Sequence, residues 1–313
     1  MIRIPRTDLD IFPLNLGGNT FGWTSDRDTS FAVLDAFVEA GGNFIDTADL
    51  YSVWAEGHEG GESEQILGEW LQARGNRDDV IIATKVGGLP SRPGLREANV
   101  EAALDESLKR LNTDYIDIYY AHYDDEKVDV INQVLHAESL VESGKVKHLG
   151  LSNYSPARMR QWFEVAYAGN HTIPVAIQPQ YNLLNRREFE QSYLSIAQDY
   201  DAAIFPYFAL ASGVLTGKYR SKADIQGQAR EDFIKDLMMD ESLQVVDVVV
   251  EIAEARAVEP ATVALAWLLA KDVTAPVASA STPEQLPALM AAAELKLSDD
   301  EVQRLDTVSK PFA

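Results

Sequence analysis

Apolar runs rich in β-branched residues and tyrosine recur along the chain, with helical segments between them. Most neighbouring runs lie about thirty residues apart, which is the length of one strand-helix unit. Strands and helices that alternate in this way build a parallel sheet. The eight strand candidates occupy residues 14–18, 43–48, 80–86, 115–122, 146–152, 175–180, 202–207 and 275–280.

The segments between these runs have the spacing of amphipathic helices. Residues 30–41 carry apolar side chains at helical intervals and stop at Gly41 and Gly42, while residues 99–111 repeat the pattern with Asn99 as the expected N-cap. The span from 208 to 274 breaks the regular spacing, because it contains two helical segments and the polar stretch 218–232. We interpret that stretch as an inserted βα loop that moves when ligand binds.

A closed (β/α)8 barrel fits this pattern better than an open, doubly wound sheet. No candidate strand is followed by the GxGxxG turn that is typical of a dinucleotide-binding doubly wound sheet. The eight units follow one another without a linker rich in Pro, Gly or Ser. The sequence therefore predicts an α/β protein in which residues 1–313 form a single eight-stranded TIM barrel with extended βα loops.

The composition excludes several classes of function. The chain has no cysteine, and its five histidines include no pair at the i, i+4 spacing of a metalloprotease helix, so we expect no protein-bound metal. The net charge of −22 disfavours nucleic acid and anionic membranes as partners. The amino terminus lacks a signal-peptide run, and no stretch approaches the ~18 apolar residues of a membrane span, so we expect a cytoplasmic protein.

Polar side chains of different chemistry follow three successive strand candidates. Asp46 ends the second strand, Tyr51 lies in the loop after it, Lys85 ends the third strand and His122 ends the fourth. Each residue alone has an ordinary structural explanation, as a cap, a solvent-reaching lysine or an anchoring ring. Together they would meet at the mouth of the barrel, where side chains at the strand ends build the active site.

Together, these four residues have the chemistry needed to transfer a proton to a substrate. The pKa of a tyrosine is about 10 in water, so Tyr51 needs a neighbouring cation to exchange its proton readily at neutral pH. Lys85 can supply that cation, and a buried Asp46 would keep the ammonium charged and oriented. His122 would hydrogen-bond a substrate oxygen.

Longer blocks of the sequence make the interpretation specific. The chain contains, in order, GGNFIDTADLYS, GGESEQILGEWL, IIATKVGG, YIDIYYAH, GKVKHLGLSNYS, IQPQYNLLNR and ASGVLTGKY. Nearly the whole chain resembles the aldo-keto reductase superfamily. The resemblance implies that Tyr51 is the general acid and base, that Lys85 and Asp46 tune it, and that His122 orients a carbonyl. It also implies direct hydride transfer between a nicotinamide ring and the carbonyl carbon.

The resemblance further implies a set of cofactor contacts at the strand ends and in the following loops. Ser152, Asn153 and Gln178 resemble the residues that hold the carboxamide, and Tyr207 resembles the aromatic residue that stacks on the nicotinamide. Small residues in the segment 210–218 would cover the pyrophosphate, with Lys218 offsetting its charge. The residues expected to bind the cofactor are Asn19, Thr20, Phe21, Asp46, Ser152, Asn153, Gln178, Tyr207, Phe208, Leu210, Ser212, Gly213, Lys218, Ser279, Ser281 and Gln285.

One segment departs from the pattern of family members that prefer NADPH. Such members commonly have a Lys-Ser pair and an Arg around the adenosine 2′-phosphate, whereas Ser279, Ala280 and Gln285 stand at the matching positions here. Hydrogen bonds from Ser279, Ser281, Thr282 and Gln285 remain available, although Ser-Thr-Pro-Glu also fits the capped start of a helix. We expect NADP(H), with NAD(H) open as an alternative.

The substrate side is less defined by the sequence. Trp23, Trp54 and Tyr123 are expected to line the pocket beside Tyr51 and His122, with a long loop at 52–62. Aromatic walls beside a polar rim suit a sugar, a ketone or an aromatic aldehyde. The sequence leaves the oligomeric state open between a monomer and a homo-oligomer.

Two other functions use the same residues. The chain could be a slow, nicotinamide-binding regulatory subunit that resembles the potassium-channel β subunits, although it shows no long amino-terminal extension or basic docking surface. It could instead be a barrel lyase, isomerase or aldolase in which Lys85 forms a Schiff base, but the residues that match cofactor contacts would then have no role.

Overall fold

The computed structural model describes residues 1–227 and 231–313. Eight parallel strands form one sheet in the order β10-β3-β4-β5-β6-β7-β8-β9, and all eight sequence candidates are among them. The barrel strands are β3 Asn15–Gly17, β4 Phe44–Asp46, β5 Ile81–Val86, β6 Ile116–Ala121, β7 Val146–Ser152, β8 Ala176–Gln178, β9 Ala203–Ile204 and β10 Val277–Ala278.

Backbone hydrogen bonds close this sheet into a barrel. The N–H groups of Thr274 and Ala275 donate to the carbonyl oxygen of Ile204, at 3.0 and 3.3 Å, and the N–H of Val277 donates to that of Pro206 at 2.9 Å. These bonds join the β9 side to the β10 side, so the sheet has no free edge there. The predicted (β/α)8 fold is confirmed.

Helices follow the strands around the outside of the barrel. A π-helical turn, Phe189–Tyr193, leads into α6, and a 3-10 helix, Ala211–Thr216, follows β9. The α-helices are α1 Arg27–Glu39, α2 Glu62–Arg74, α3 Glu97–Leu111, α4 Val130–Glu142, α5 Pro156–Gly169, α6 Leu194–Asp199, α7 Glu231–Ile234, α8 Asp240–Arg256, α9 Pro260–Leu269, α10 Leu286–Met290 and α11 Asp299–Val308.

The structure corrects two predicted helix starts. Helix α1 begins three residues earlier than the apolar pattern, because the carboxylate of Asp26 accepts from the N–H of Thr29 and caps it. The prediction of Asn99 as an N-cap is wrong: α3 begins at Glu97 after Arg96. The Asn99 amide instead donates to the carbonyl oxygen of Gly94 at 2.6 Å, so it ties the preceding loop to the helix.

Alternation along each strand separates two hydrophobic cores. Side chains such as Ile45, Ile82 and Tyr119 face outward and pack under the helices. Side chains that face inward, including Phe44 and Tyr120, fill the barrel. This alternation decides which polar residues at the strand ends enter the barrel mouth.

A short antiparallel hairpin closes the opposite end of the barrel. It consists of β1 Ile2–Arg3 and β2 Asp10–Ile11, and the sequence analysis does not predict it. Ile4, Leu9 and Ile11 are buried in the inner core with the first residues of β4 and β5. The amino ends of the strands are therefore covered by apolar side chains, which leaves the carboxyl ends as the open mouth.

The insertion between β9 and β10 contains the two predicted long helices, α8 and α9. Part of the polar stretch 218–232 is described, including the buried Ile225. Residues 228–230 of that stretch lie outside the described residues. Its movement on ligand binding stays a prediction.

Candidate active site

The polar residues predicted from the strand ends converge on the mouth of the barrel. Asp46, Ser152 and Gln178 are the last residues of β4, β7 and β8, Lys85 is the penultimate residue of β5, and His122 directly follows β6. Inner-core side chains lie two positions before several of them, so the period of two turns these polar groups inward as well. All five residues are buried.

A fully buried ion pair lies at the centre of this site. The Lys85 ammonium donates to the Asp46 carboxylate, to the carbonyl oxygen of Thr47 at 2.8 Å and to the hydroxyl of Tyr51 at 3.1 Å. These three acceptors use all three ammonium hydrogens. Burial lowers the pKa of Lys85, and the charge of Asp46 opposes that shift. The pair is therefore held in one geometry with Tyr51 at its edge.

The Tyr51 phenol is held protonated in this arrangement. Burial raises its pKa well above the usual range, and the negative charge of Asp46 adds to the shift. The sequence analysis expects the Lys85 cation to favour the phenolate, but in the structure burial and Asp46 have the larger effect on the pKa. Tyr51 therefore carries its proton at neutral pH.

The His122 imidazole stands beside Tyr51 as a neutral group. The two ring centroids are 6.1 Å apart, and the N–H₂ group of Asn153 donates to the backbone carbonyl of His122 at 2.9 Å. Burial and the nearby Lys85 charge lower the pKa of His122 well below its usual range. Its Nδ1 has no hydrogen-bond partner among the described residues. The ring is therefore uncharged at neutral pH.

A chain of hydrogen bonds links the ion pair to the next strands. The side-chain amide of Gln178 donates to Asp46 Oδ1 at 2.8 Å, and the Ser152 hydroxyl donates to the backbone carbonyl oxygen of Gln178 at 2.8 Å. Asn153 Nδ2 donates to Ser152 Oγ at 3.0 Å, and Tyr207 OH donates to Asn153 Oδ1 at 2.8 Å. The four residues expected to contact the nicotinamide thus form one network with the ion pair.

The segment expected to cover a pyrophosphate follows β9. Ser212 has φ +55° and Gly213 has φ +99°, a left-handed conformation that glycine adopts without a steric penalty. Leu210 precedes the 3-10 helix, and Phe208 has φ +53° with its ring edge-on to Tyr207. Lys218 extends its exposed ammonium over the Tyr219 ring at 4.7 Å. Two small residues and a lysine that forms no ion pair with a described residue, on a turning backbone, suit a bound phosphate group.

The residues after β10 bond mainly to one another and to the loop after β3. Ser279 bonds to Asn19, and Thr20 Oγ1 donates to the carbonyl oxygen of Ala280 at 3.2 Å. The N–H of Ser281 donates to Gln285 Oε1 at 2.8 Å. A cofactor ribose or phosphate that binds here must therefore replace internal hydrogen bonds.

Two details of these segments differ from the sequence analysis. The Ser-Thr-Pro-Glu segment does begin a 3-10 helix, Pro283–Gln285, but the Thr282 side chain makes no capping hydrogen bond. The Phe21 ring is fully buried in the outer core rather than turned into the barrel mouth. Of the segment 18–21, the structure brings Asn19 nearest to the predicted cofactor residues, through Ser279.

Three aromatic side chains stand around Tyr51 and His122. The Trp54 ring centroid is 5.6 Å from that of Tyr51 and 5.7 Å from that of Trp23, both edge-on. Tyr123 stacks on His122 at 4.7 Å. Trp54 and Tyr123 remain 37% and 46% exposed, so rings are available to a ligand at the mouth.

The sequence analysis missed a buried polar cluster behind the barrel wall. Glu64 accepts from Thr84 Oγ1 at 2.5 Å and from Arg110 Nε at 2.7 Å. Nearby Asp49 is buried, and its Oδ1 has no hydrogen-bond partner among the described residues. Burial, reinforced by the charge of Glu64, raises the pKa of Asp49 to about 7. The only sequence signal was the acidic character of the loops that begin with Asp46 and Gly61.

Neither a metal site nor a membrane-spanning helix is found in residues 1–227 and 231–313. No group of three or more His, Asp or Glu side chains there is arranged to hold a metal ion. No helix in the same ranges combines the length and the apolar character needed to cross a membrane.

Comparison with known proteins places these features in a family. A family model described as "Aldo/keto reductase family" matches residues 13–310. The chain is 31% identical to the protein tas of Escherichia coli (strain K12), over 99% of this chain and 97% of that protein. It is 33% identical to norsolorinic acid reductase stcV of Emericella nidulans, over 98% of this chain and 80% of that protein.

A third relative has a different kind of name. The chain is 30% identical to a probable voltage-gated potassium channel subunit beta of Oryza sativa subsp. japonica, over 99% of this chain and 97% of that protein. Similarity over nearly the full length thus extends to relatives named as reductases and to one named as a channel subunit.

Proposed function

The chain belongs to the aldo/keto reductase family, and on that premise we propose that it transfers hydride between NAD(P)H and an aldehyde, ketone or sugar carbonyl, with Tyr51 as general acid and base. The observation that carries this proposal is the hydrogen bond of 3.1 Å between the buried Lys85 ammonium and the Tyr51 hydroxyl. An isolated phenol exchanges protons slowly at neutral pH, whereas a cation in contact with it stabilises the phenolate that forms.

The donor set around the ion pair fits a nicotinamide cofactor. Ser152, Asn153 and Gln178 offer hydroxyl and amide groups for a carboxamide, and Tyr207 offers a ring face. Lys218 supplies a cation beside the small residues of the segment 210–218. When bound, the cofactor supplies the hydride, and the protein supplies geometry and the proton.

The residues of the chain then transfer the proton and orient the carbonyl group. In reduction, Tyr51 gives its proton to the carbonyl oxygen, and Lys85 stabilises the resulting phenolate through the bond already present. Asp46 keeps Lys85 charged and fixed. Neutral His122 donates a hydrogen bond to the same oxygen and so orients the carbonyl. In oxidation, Tyr51 accepts the proton.

Trp23, Trp54 and Tyr123 would contact the substrate, and a small organic carbonyl compound is the partner that this mouth suits. For the cofactor we propose NADP(H). NAD(H) is also accepted in this proposal, because no cation stands at Ser279, Ala280 or Gln285 to select a 2′-phosphate. A Schiff-base reaction at Lys85 fits less well, because its ammonium is fully buried and bonded to three acceptors.

The test is titration of the purified protein with NADPH and NADH, followed by protein fluorescence, and then turnover with a panel of aldehydes, ketones and sugars. We expect binding and turnover, and we expect Tyr51→Phe to lower kcat by about 10²–10⁴-fold while cofactor binding persists. Normal turnover by Tyr51→Phe would overturn the assignment of the proton donor.

A regulatory role is the second candidate, favoured by the rice relative named as a channel β subunit. It predicts tight cofactor binding with very slow turnover, together with a stable complex with another protein. Measuring kcat and co-purification in the same preparation separates the two functions.

A further inference from the structure

The carboxylate of Glu62 accepts hydrogen bonds from both ends of the loop that carries Trp54. Glu62 Oε1 accepts from the N–H of Glu59 at 2.9 Å, and both of its oxygens accept from the N–H of Gly60, at 3.2 and 3.1 Å. On the other side of the loop, Glu62 Oε2 accepts from the N–H of Ser52 at 3.3 Å. The carboxylate therefore joins residue 52 to residues 59 and 60 across the base of the loop.

The loop between these points is also held by other bonds, including one of 3.4 Å between Ser52 Oγ and His58 Nδ1. Turns within it bond the N–H of Ala55 to the carbonyl of Ser52, and the N–H of His58 to the carbonyl of Ala55. The exposed side chains of Glu56 and Glu59 make no hydrogen bond or ion pair among the described residues. Trp54, at the tip, contacts Trp23 and Tyr51 through ring edges. The closure at the base therefore helps to set its position.

Glu62 is ionised, which strengthens this closure. Burial alone would raise its pKa, but the N–H donors of the loop and the nearby His58 lower it below the usual range. Hydrogen bonds from N–H groups to an ionised acceptor are shorter and about twice as strong as neutral ones. Replacing the carboxylate by an amide removes this advantage and leaves one oxygen to serve three donors.

Tyr51 is held independently of Glu62. Its carbonyl oxygen accepts from the N–H of Gly61 at 3.0 Å and from that of Ser63 at 3.4 Å, and its hydroxyl accepts from Lys85. A change at Glu62 therefore acts on the tip of the loop and leaves the proton donor in place.

From this geometry, and resting on the proposed function, we propose that Glu62 is a specificity-determining positioning residue, which fixes Trp54 as a wall for substrates whose carbonyl carries a planar aromatic group. The wall consists of Trp54 and Trp23, in edge-on contact, and Tyr123 stacks on His122 at the same mouth. A planar group between them makes ring contacts with Trp54, whereas a short aliphatic aldehyde reaches Tyr51 and His122 without touching it.

The experiment compares kcat/KM for benzaldehyde and for propanal with Glu62→Gln. We expect kcat/KM for benzaldehyde to fall about tenfold, through KM, which corresponds to the loss of one good contact. For propanal we expect a change of less than about twofold, since no ring contact is involved. Glu56→Gln, in the same loop, is the matched control and should change neither value.

A double-mutant cycle tests whether Glu62 acts through Trp54. In a Trp54→Ala background the ratio of the two kcat/KM values should already be reduced, and Glu62→Gln should reduce it no further. Equal losses for both aldehydes, or an additional loss in the Trp54→Ala background, would overturn the inference. If Glu62→Gln folds poorly, Glu62→Asp keeps the charge but shortens the reach, and it should show the same selective loss.

Failure of the inference differs from failure of the proposed function. If the wild-type protein reduces neither aldehyde nor any other carbonyl with NADPH or NADH, the oxidoreductase proposal fails. If the wild type reduces them and the ratio is insensitive to Glu62, only the role of Glu62 fails.

Discussion

The replacement Asp49→Asn should make the protein less sensitive to rising pH. Asp49 is buried and forms no ion pair with a described residue, and burial together with the charge of Glu64 raises its pKa from 3.8 to about 7, against the weaker effects of Arg110 and Lys85. Between these two pH values the folded protein holds the proton and the unfolded chain releases it. Asp49 therefore costs the folded state no stability at low pH, and the cost grows as the pH rises from 3.8 towards about 7.

The size of the effect follows from the difference of about 3 between the two pKa values, since each pH unit corresponds to about 1.4 kcal/mol. The ionised Asp49 thus costs the folded state roughly 4 kcal/mol above pH 8, and roughly 1.5 kcal/mol at pH 5. Asn has nearly the same shape and no charge. The free energy of unfolding of Asp49→Asn, relative to wild type, should therefore rise by about 2–3 kcal/mol between pH 5 and pH 8.5.

Urea unfolding at both pH values measures this difference. Any fixed cost of burying the amide cancels, because it is present at both pH values. The exposed carboxyl of Asp114 provides the control, and Asp114→Asn should show no such dependence on pH. The reasoning would be refuted if Asp49→Asn differed from wild type by the same free energy at pH 5 and at pH 8.5.

Two further predictions concern the cofactor segment and the histidine. Lys218→Ala should weaken binding of NADPH and NADH by about 10-fold or more, because it removes a charge-assisted contact to phosphate, while exposed Lys222→Ala should not. Fluorescence titration at several salt concentrations would detect this, and equal affinities for the two variants would argue against a phosphate role for Lys218. Burial and Lys85 lower the pKa of His122, so its imidazole should still be neutral in the range around pH 6.5, where an ordinary histidine takes up its proton. NMR titration of the imidazole resonances would reveal a protonation step in that range if this is wrong.

Much of the architecture could be predicted because it depends on local patterns. Apolar runs of strand length at intervals of one strand-helix unit marked all eight barrel strands, and the carboxyl ends of those runs placed Asp46 and Lys85 at the barrel mouth. The hairpin of β1 and β2 was missed because each of its strands has only two residues, too few to show an alternating pattern. Asn99 was misjudged as a cap because its side chain bonds to the preceding loop, a contact between segments.

The candidate site, too, could be predicted from the sequence only in part. The order of polar residues along the chain determined which chemistry is present, since a parallel barrel brings the carboxyl ends of its strands to one mouth. The tertiary structure decided how these groups interact: burial keeps the Tyr51 phenol protonated, Lys85 is occupied by three acceptors, and the ring of Phe21 turns into the outer core. It also revealed the closure by Glu62 and the unpaired Asp49. Sequence fixes side-chain chemistry and local period, whereas burial and distances between segments exist only once the chain has closed into a barrel.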